Sequence, residues 1–359
     1  MKKFILITFC ILIISVPVVW MTIHFVQQSR QSVSSPAPTP TPPPMAWKSH
    51  AMAWIYPGSP ACNAANEYKD GRVIDTLKPE YYKLNESGTL TQLTTENAGC
   101  NAYSPNNASE VKKYSMHQYV TVSGNIAGMD ALVTSQAKIV QAVTTLKTFV
   151  DTVKFTGIEI DFEGFSRWTP QQYDGYKNFL TQLGGTLHQN GYTLMIDGPA
   201  VLAKDSSQYQ WRYEDFNALP VDYLVVMEYD WQYDFGSGTP VAPLAREKEV
   251  TREVIGKIRD SNKIVIGIPS YGYHGRMGGE SITIDTHAQS HMYPGYTTAK
   301  RDTSSAEMMF THAGVFYDYA DSQTVNTKRS LLEELGIKNI SVWSLGGNQW
   351  FSGKVEPHS

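Results

Sequence analysis

From Ala46 onward, short apolar or β-branched runs alternate with stretches of helical period. The runs are MAWIYP (52–57), EYYKLN (80–85), YVTVSG (119–124), FTGIEIDFEG (155–164), YTLMIDGPA (192–200), DYLVVMEYD (222–230), KIVIGIPSYG (263–272) and KNISVWSLGG (338–347). Between them, Ile139, Val140, Val143, Leu146, Phe149, Val150 and Val153 make one apolar helical stripe. Thr169-Pro170-Gln171-Gln172 has the form of a capping box with Pro at the first helical position. The helix it opens carries Tyr173, Tyr176, Phe179, Leu180, Leu183 and Leu187 inward and stops at Asn190-Gly191. Ser322 to Gly336 reads as another helix closed by Gly.

Strands alternating with helices imply a parallel sheet. Eight repeats in this length predict an α/β fold, a (β/α)8 TIM barrel with a small insertion after strand 7. An open doubly wound sheet is the alternative, but no Gly-x-Gly-x-x-Gly follows the first strand. The stretch from Tyr273 to Phe316 is long for one connection. It contains SITID and GVFYDY, so small strands over the barrel mouth are expected there.

The chain ahead of this pattern differs. Lys2 and Lys3 precede an uncharged apolar run from Phe4 to Phe25. About 22 residues at 1.5 Å rise reach roughly 33 Å, enough to cross a bilayer core. No small-x-small cleavage site follows, so residues 1–26 read as a signal anchor, a transmembrane helix, in preference to a cleaved signal peptide. Residues 27–45 end in PAPTPTPPP and form a Pro/Ser/Thr-rich linker that cannot pack a core. The remaining domain, 46–359, is then expected outside the cytoplasm, membrane-anchored or secreted. There Cys62 and Cys100 are a possible disulfide.

Composition narrows the partners. The net charge of −4 argues against a nucleic-acid binder held by phosphate neutralisation. Three Cys cannot build a disulfide scaffold or a four-thiolate zinc site. The 21 Tyr and 8 Trp suit either a large core or a sugar cleft. Trp54, Tyr56, Trp168, Trp211, Trp231, Tyr233 and Trp350 fall near strand ends or in loops, where stacking on sugars and rim packing are both open.

The chemistry concentrates in Gly157-Ile158-Glu159-Ile160-Asp161-Phe162-Glu163-Gly164. Alternate strand residues share a face, so Ile158, Ile160 and Phe162 should meet the helices while Glu159, Asp161 and Glu163 line the barrel interior. Three acids roughly 6–7 Å apart cannot all ionise cheaply. One retained proton supplies a general acid. A carboxylate-rich metal site is the rival, yet no His neighbours the cluster and the nine His are read as showing no paired ligand spacing. No metal and no organic cofactor is therefore expected.

The segment resembles the D-x-x-D-x-D-x-E signature of glycoside hydrolase family 18, the chitinase-like barrels. Met227-Glu228-Tyr229-Asp230 resembles the family's M-x-Y-D, Gly267-Ile268-Pro269-Ser270-Tyr271-Gly272 its G-x-P-x-Y-G, and Val342-Trp343-Ser344-Leu345 its strand-eight tryptophan segment. Thr156 and Glu159 stand where the family usually has Asp, and Phe162 replaces a frequent Trp or Tyr. The resemblance implies a hydrolase of β-linked N-acetylglucosamine glycans (chitin, peptidoglycan or the N-glycan core) acting by a substrate-assisted retaining mechanism. It implies Glu163 as general acid/base, Asp161, Glu159 and Tyr229 as catalytic partners, and Met227, Asp230, Tyr271 and Trp343 as substrate-binding residues. Strict alternation would put Asp230 opposite Tyr229, so the strand must end or bulge there. The alternative function is a non-catalytic, lectin-like carbohydrate-binding barrel. A monomer is the expected state.

Overall fold

A computed structural model describes residues 47–56, 74–94, 102–202, 204 and 209–352. The apolar N-terminal run, the Pro-rich linker, Cys62 and Cys100 lie outside the described residues. Among the described residues no helix is long and apolar enough to cross a membrane.

Eight parallel strands form a closed ring. They are β1 (His50–Ile55), β2 (Ile74–Leu84), β4 (Ser115–Gly124), β5 (Gly157–Asp161), β6 (Thr193–Pro199), β7 (Tyr223–Met227), β8 (Ile264–Pro269) and β14 (Asn339–Leu345). A short β3 (Leu90–Gln92) pairs antiparallel with β2 outside the ring. The direct β1–β2 pairing, Trp54 opposite Lys78, closes the circle and excludes the open sheet. The fold is a TIM barrel.

The alternation read from the fourth strand signal holds. Ile158, Ile160 and Phe162 are fully buried against the helices, and Phe162 stacks on Phe179 at 5.8 Å. Phe179 belongs to α4 (Pro170–His188), whose N-terminus is closed by the Thr169/Gln172 capping box. Before it come α1 (Pro105–Tyr114), α2 (Ile126–Val133) and α3 (Gln136–Val153), the last burying the apolar stripe. After β6 a 3-10 turn, Tyr213–Asn217, stands where a barrel helix would be. A short α5 (Trp231–Phe235) and a longer α6 (Leu244–Lys257) join β7 to β8.

Three boundaries differ from the sequence reading. β2 begins at Ile74 rather than Glu80, because Asp75, Thr76 and Lys78 are buried inside the structure and so break the apolar signal. β5 ends at Asp161, so Glu163 lies just beyond the strand. The insertion is a five-stranded antiparallel sheet of β9 (Gly272–Arg276), β10 (Ile282–Asp285), β11 (Lys300–Arg301), β12 (Met308–His312) and β13 (Val315–Tyr319), with a one-turn α7 (His287–Ser290). It therefore starts at Gly272, one residue ahead of the predicted stretch, and ends at Tyr319, the last residue of GVFYDY.

Buried charge welds this insertion to the barrel wall. The Lys328 ammonium, on α8 (Ser322–Glu334), lies 3.3 Å from Glu307 of the insertion and 3.6 Å from Glu247 of α6. Glu307 also accepts the amides of Val241 and Ala242, each at 2.9 Å. Nearby, Glu228 is fully buried and accepts the Trp231 indole N–H at 3.1 Å. Burial, and then the charge of Glu247, pushes its pKa up to about 8. The folded protein thus keeps a proton that the unfolded chain gives up near the ordinary carboxylate range. Stability from this group is fully present below that range and is lost as pH rises through about 8. Glu228→Gln should melt above the wild type at pH 9 and close to it at pH 5, as measured by calorimetry at the two pH values.

Candidate active site

The acids predicted to share a face do so, at the C-terminal end of the barrel where barrel enzymes place their chemistry. Two lobes of one cleft meet there. One lobe, about 370 Å³, is bounded by Phe165, Asp197, Met227, Tyr229, Asp230 and Tyr233. The other, about 700 Å³, runs between the ends of β1, β2 and β4 and the insertion, past Tyr56, Glu80, Ser123, Tyr271 and Asp285. Trp54, Asp161, Glu163 and Trp343 line both lobes. Glu163 therefore stands at the junction, with room for chain on either side.

Glu163 is open to the cleft, yet the enclosing walls raise its pKa by desolvation, with Asp230 adding to the rise. Asp161 is raised well above the usual range, first by burial and then by Glu163 and Glu159. These are the conditions under which a carboxylic acid keeps its proton near neutral pH.

Glu159 is fully buried. Its carboxylate takes the Lys78 ammonium at 2.5 Å and the hydroxyl of Thr121. Asp161 is not among these partners; the longer side chain turns to β2 and β4. Thr156, at the first motif position, accepts the Gln118 amide at 3.1 Å and serves the backbone between β4 and β5.

The strand leading to Tyr229 stops at Met227, and Asp230 takes a left-handed conformation with φ 72°. The end of the strand resolves the alternation problem: Met227, Tyr229 and Asp230 all reach the same lobe. Asp230 accepts the Tyr271 hydroxyl and the Gln232 amide, the latter at 2.9 Å. Burial raises the Tyr229 phenol well above its usual value, so it stays a hydroxyl donor. Gly267 faces this ring, and a Cβ there would lie 3.1 Å from Tyr229 Cε1. Trp343 packs edge-on to Trp54 at 5.5 Å and to Tyr56 at 5.3 Å. Ser270 donates its amide to the Trp343 carbonyl at 2.8 Å and fixes that strand end.

The aromatic candidates divide. Trp54, Tyr56, Trp231 and Tyr233 line the cleft. Trp168, Trp211 and Trp350 are buried in the core and are packing residues. Trp211 closes on Gly198 so tightly that a Cβ would lie 2.3 Å from its ring. Sequence reasoning missed Lys78, Thr121 and Asp197, which face the acids from β2, β4 and β6. Hydrophilic residues at inward positions were the available signal.

The reading of the histidines needs correction. His287 and His291 are four apart, and their Nε2 atoms lie 3.3 Å apart in the insertion, with Tyr296 Oη 2.5 Å from His291. Even so, among the described residues no group of three or more His, Cys, Asp or Glu could hold a metal ion.

The family model for Glycosyl hydrolases family 18 matches residues 73–348. The chain belongs to this family. Its closed barrel is the fold that the matched solved structures share. Among similar proteins, the putative sporulation-specific glycosylase YdhD of Bacillus subtilis (strain 168) is 27% identical over 218 residues, 56% of this chain and 50% of the relative. The cortical fragment-lytic enzyme of the same strain is 26% identical over 211 residues, 54% of this chain and 47% of the relative. The chain thus matches about half the length of these relatives. Solved structures share the fold. A chitinase from Chromobacterium violaceum ATCC 12472 superposes with a TM-score of 0.70 at 20% identity, covering 84% of this chain and 95% of the other. A class V chitinase from Nicotiana tobaccum in complex with NAG4 gives 0.71 at 14% identity, with the same coverage. The non-catalytic alternative finds no support in these comparisons.

Proposed function

We propose that this family 18 hydrolase cuts β-linked N-acetylglucosamine glycans by a substrate-assisted retaining mechanism. The observation that supports it best is the junction of the two lobes, where Glu163, Asp161 and Trp343 meet with Tyr229 alongside. Glu163 protonates the glycosidic oxygen. The acetamido carbonyl of the sugar before the cut attacks its own anomeric carbon, giving a positively charged oxazolinium ion. Asp161 accepts the acetamido N–H and offsets that charge, with Glu159 held behind it. Tyr229 donates its hydroxyl to the acetamido oxygen, Asp230 binds the sugar, and Trp343 forms the apolar floor, with Met227 and Tyr271 shaping the pocket. Glu163, now ionised, takes a proton from water for the second step.

The substrate class is read from the mechanism, since chitin, peptidoglycan glycan strands and the N-glycan core all carry the acetamide. Relatives named as cortical fragment-lytic enzymes favour cell-envelope glycan among these. So does the N-terminal apolar run, read as an export anchor that holds the domain outside the cytoplasm beside the membrane. The test is hydrolysis of fully acetylated against deacetylated oligomers of equal length, with the anomer of the first product read by NMR. Turnover confined to the acetylated series, with retention, is expected. Equal turnover of both, or inversion, would refute substrate assistance.

A further inference from the structure

We infer that Lys78 is a positioning residue of this reaction: paired with Glu159 behind Asp161, it sets how far into acid the enzyme works. The inference rests on the roles assigned above to Asp161 and Glu163.

Lys78 leaves β2 for the barrel interior, and its side chain is 0% exposed. Its ammonium sits 3.2 Å above the centre of the Trp54 ring and 2.5 Å from Glu159 Oε1. Such a lysine costs free energy to bury, which its pairing with Glu159 offsets. Carboxyl groups lie around Lys78, with tyrosines and one lysine among them. Glu80 on β2 accepts the Ser123 hydroxyl of β4, with Lys83 beside it at the rim. Glu159 and Asp161 come from β5, and Glu163 from the segment after it. Asp197 comes from β6, 1% exposed and beside Glu159. Tyr229 and Asp230 follow β7, Tyr119 approaches from β4 and Tyr176 from α4. Lys78 is the buried cation of this set.

Its charge also acts on two neighbouring acids. Lys78 works against the rise in both Asp161 and Asp197, whereas Glu159 adds to it. The glutamate at 159 fits this arrangement. An aspartate, one methylene shorter, would fall short of the ammonium by about 1.5 Å. The departure from the family motif and the buried lysine thus belong together: the longer acid reaches the cation, and the pair leaves Asp161 free to ionise toward the acetamide.

The experiment is the pH profile of kcat/KM on an N-acetylglucosamine oligomer for Lys78→Met, Glu159→Gln and the double variant, with melting curves run alongside. Lys78→Met should move the acid limb up by about one pH unit, roughly tenfold loss on the acid side with little change on the alkaline side. Glu159→Gln removes an anion and should move the limb down. The double variant removes both charges and should return the limb toward the wild type. If Lys78→Met fails to fold because Glu159 is left buried and unpaired, Glu159→Gln against the double variant carries the test: the two differ only at Lys78, and the limb should lie higher in the double variant. Loss by a constant factor at every pH, or limbs that do not move, would overturn the inference and leave Lys78 a packing residue. Glu163→Gln as active as wild type would instead overturn the parent reading, whatever the limbs do.

Discussion

Replacing Glu163 by Gln is expected to lower kcat on N-acetylglucosamine oligomers by about 10²–10⁴-fold, the usual contribution of a positioned general acid. The amide keeps the shape and hydrogen bonding of the side chain but has no proton to give. KM should change little, because the walls that hold the sugar, Trp343, Tyr229 and Met227, are untouched. The pH dependence should change with it. Glu163 must be protonated to act, so wild-type activity is lost as pH rises through its raised pKa. The residual activity of the variant should lack that alkaline limb. Steady-state kinetics on a defined oligomer across pH measure both effects. Equal turnover by variant and wild type would remove Glu163 from the chemistry.

Asp161→Asn is expected to cost about 10²–10³ in kcat, the scale on which a single electrostatic stabiliser of a transition state acts. Asn can still accept the acetamido N–H, so the loss isolates the negative charge from the hydrogen bond. Asp161 must be ionised to offset the oxazolinium, and its pKa is raised by burial and by Glu163 and Glu159. Wild-type activity should therefore fall away with decreasing pH earlier than an ordinary aspartate would dictate. In the variant this acid limb disappears. A variant with wild-type kcat, or one whose acid limb persists, would show that another group supplies the charge.

Much of this site was legible in the order of residues. Ile158, Ile160 and Phe162 alternate with Glu159, Asp161 and Glu163, and the strand's period of two converts that spacing into an apolar wall and an acidic interior. The Thr169 capping box and the apolar stripe of α3 are equally local, and both stand as read. Other features were hidden because their reason is not local. Lys78 and Asp75 fell outside the strand signal at 80–85, since nothing near them in the chain announces the partners that make their burial tolerable. The partner of Lys78 is Glu159, 81 residues away. Trp168 and Trp211 looked as fit for a sugar as Trp54, yet they face the helices.

The chain order by itself determined the repeat of eight strands, the face on which the acids lie and the family those residues resemble, because these follow from backbone periodicity and from side-chain type at fixed spacing. Closure of the ring decided the rest. It brought β2, β4 and β6 around β5, gave Glu159 a lysine in place of Asp161, buried Asp197 beside Glu159, and turned Asp230 through a left-handed residue into the same lobe as Tyr229. Electrostatics among buried groups depends on distance through space, and that distance exists only once the barrel has closed.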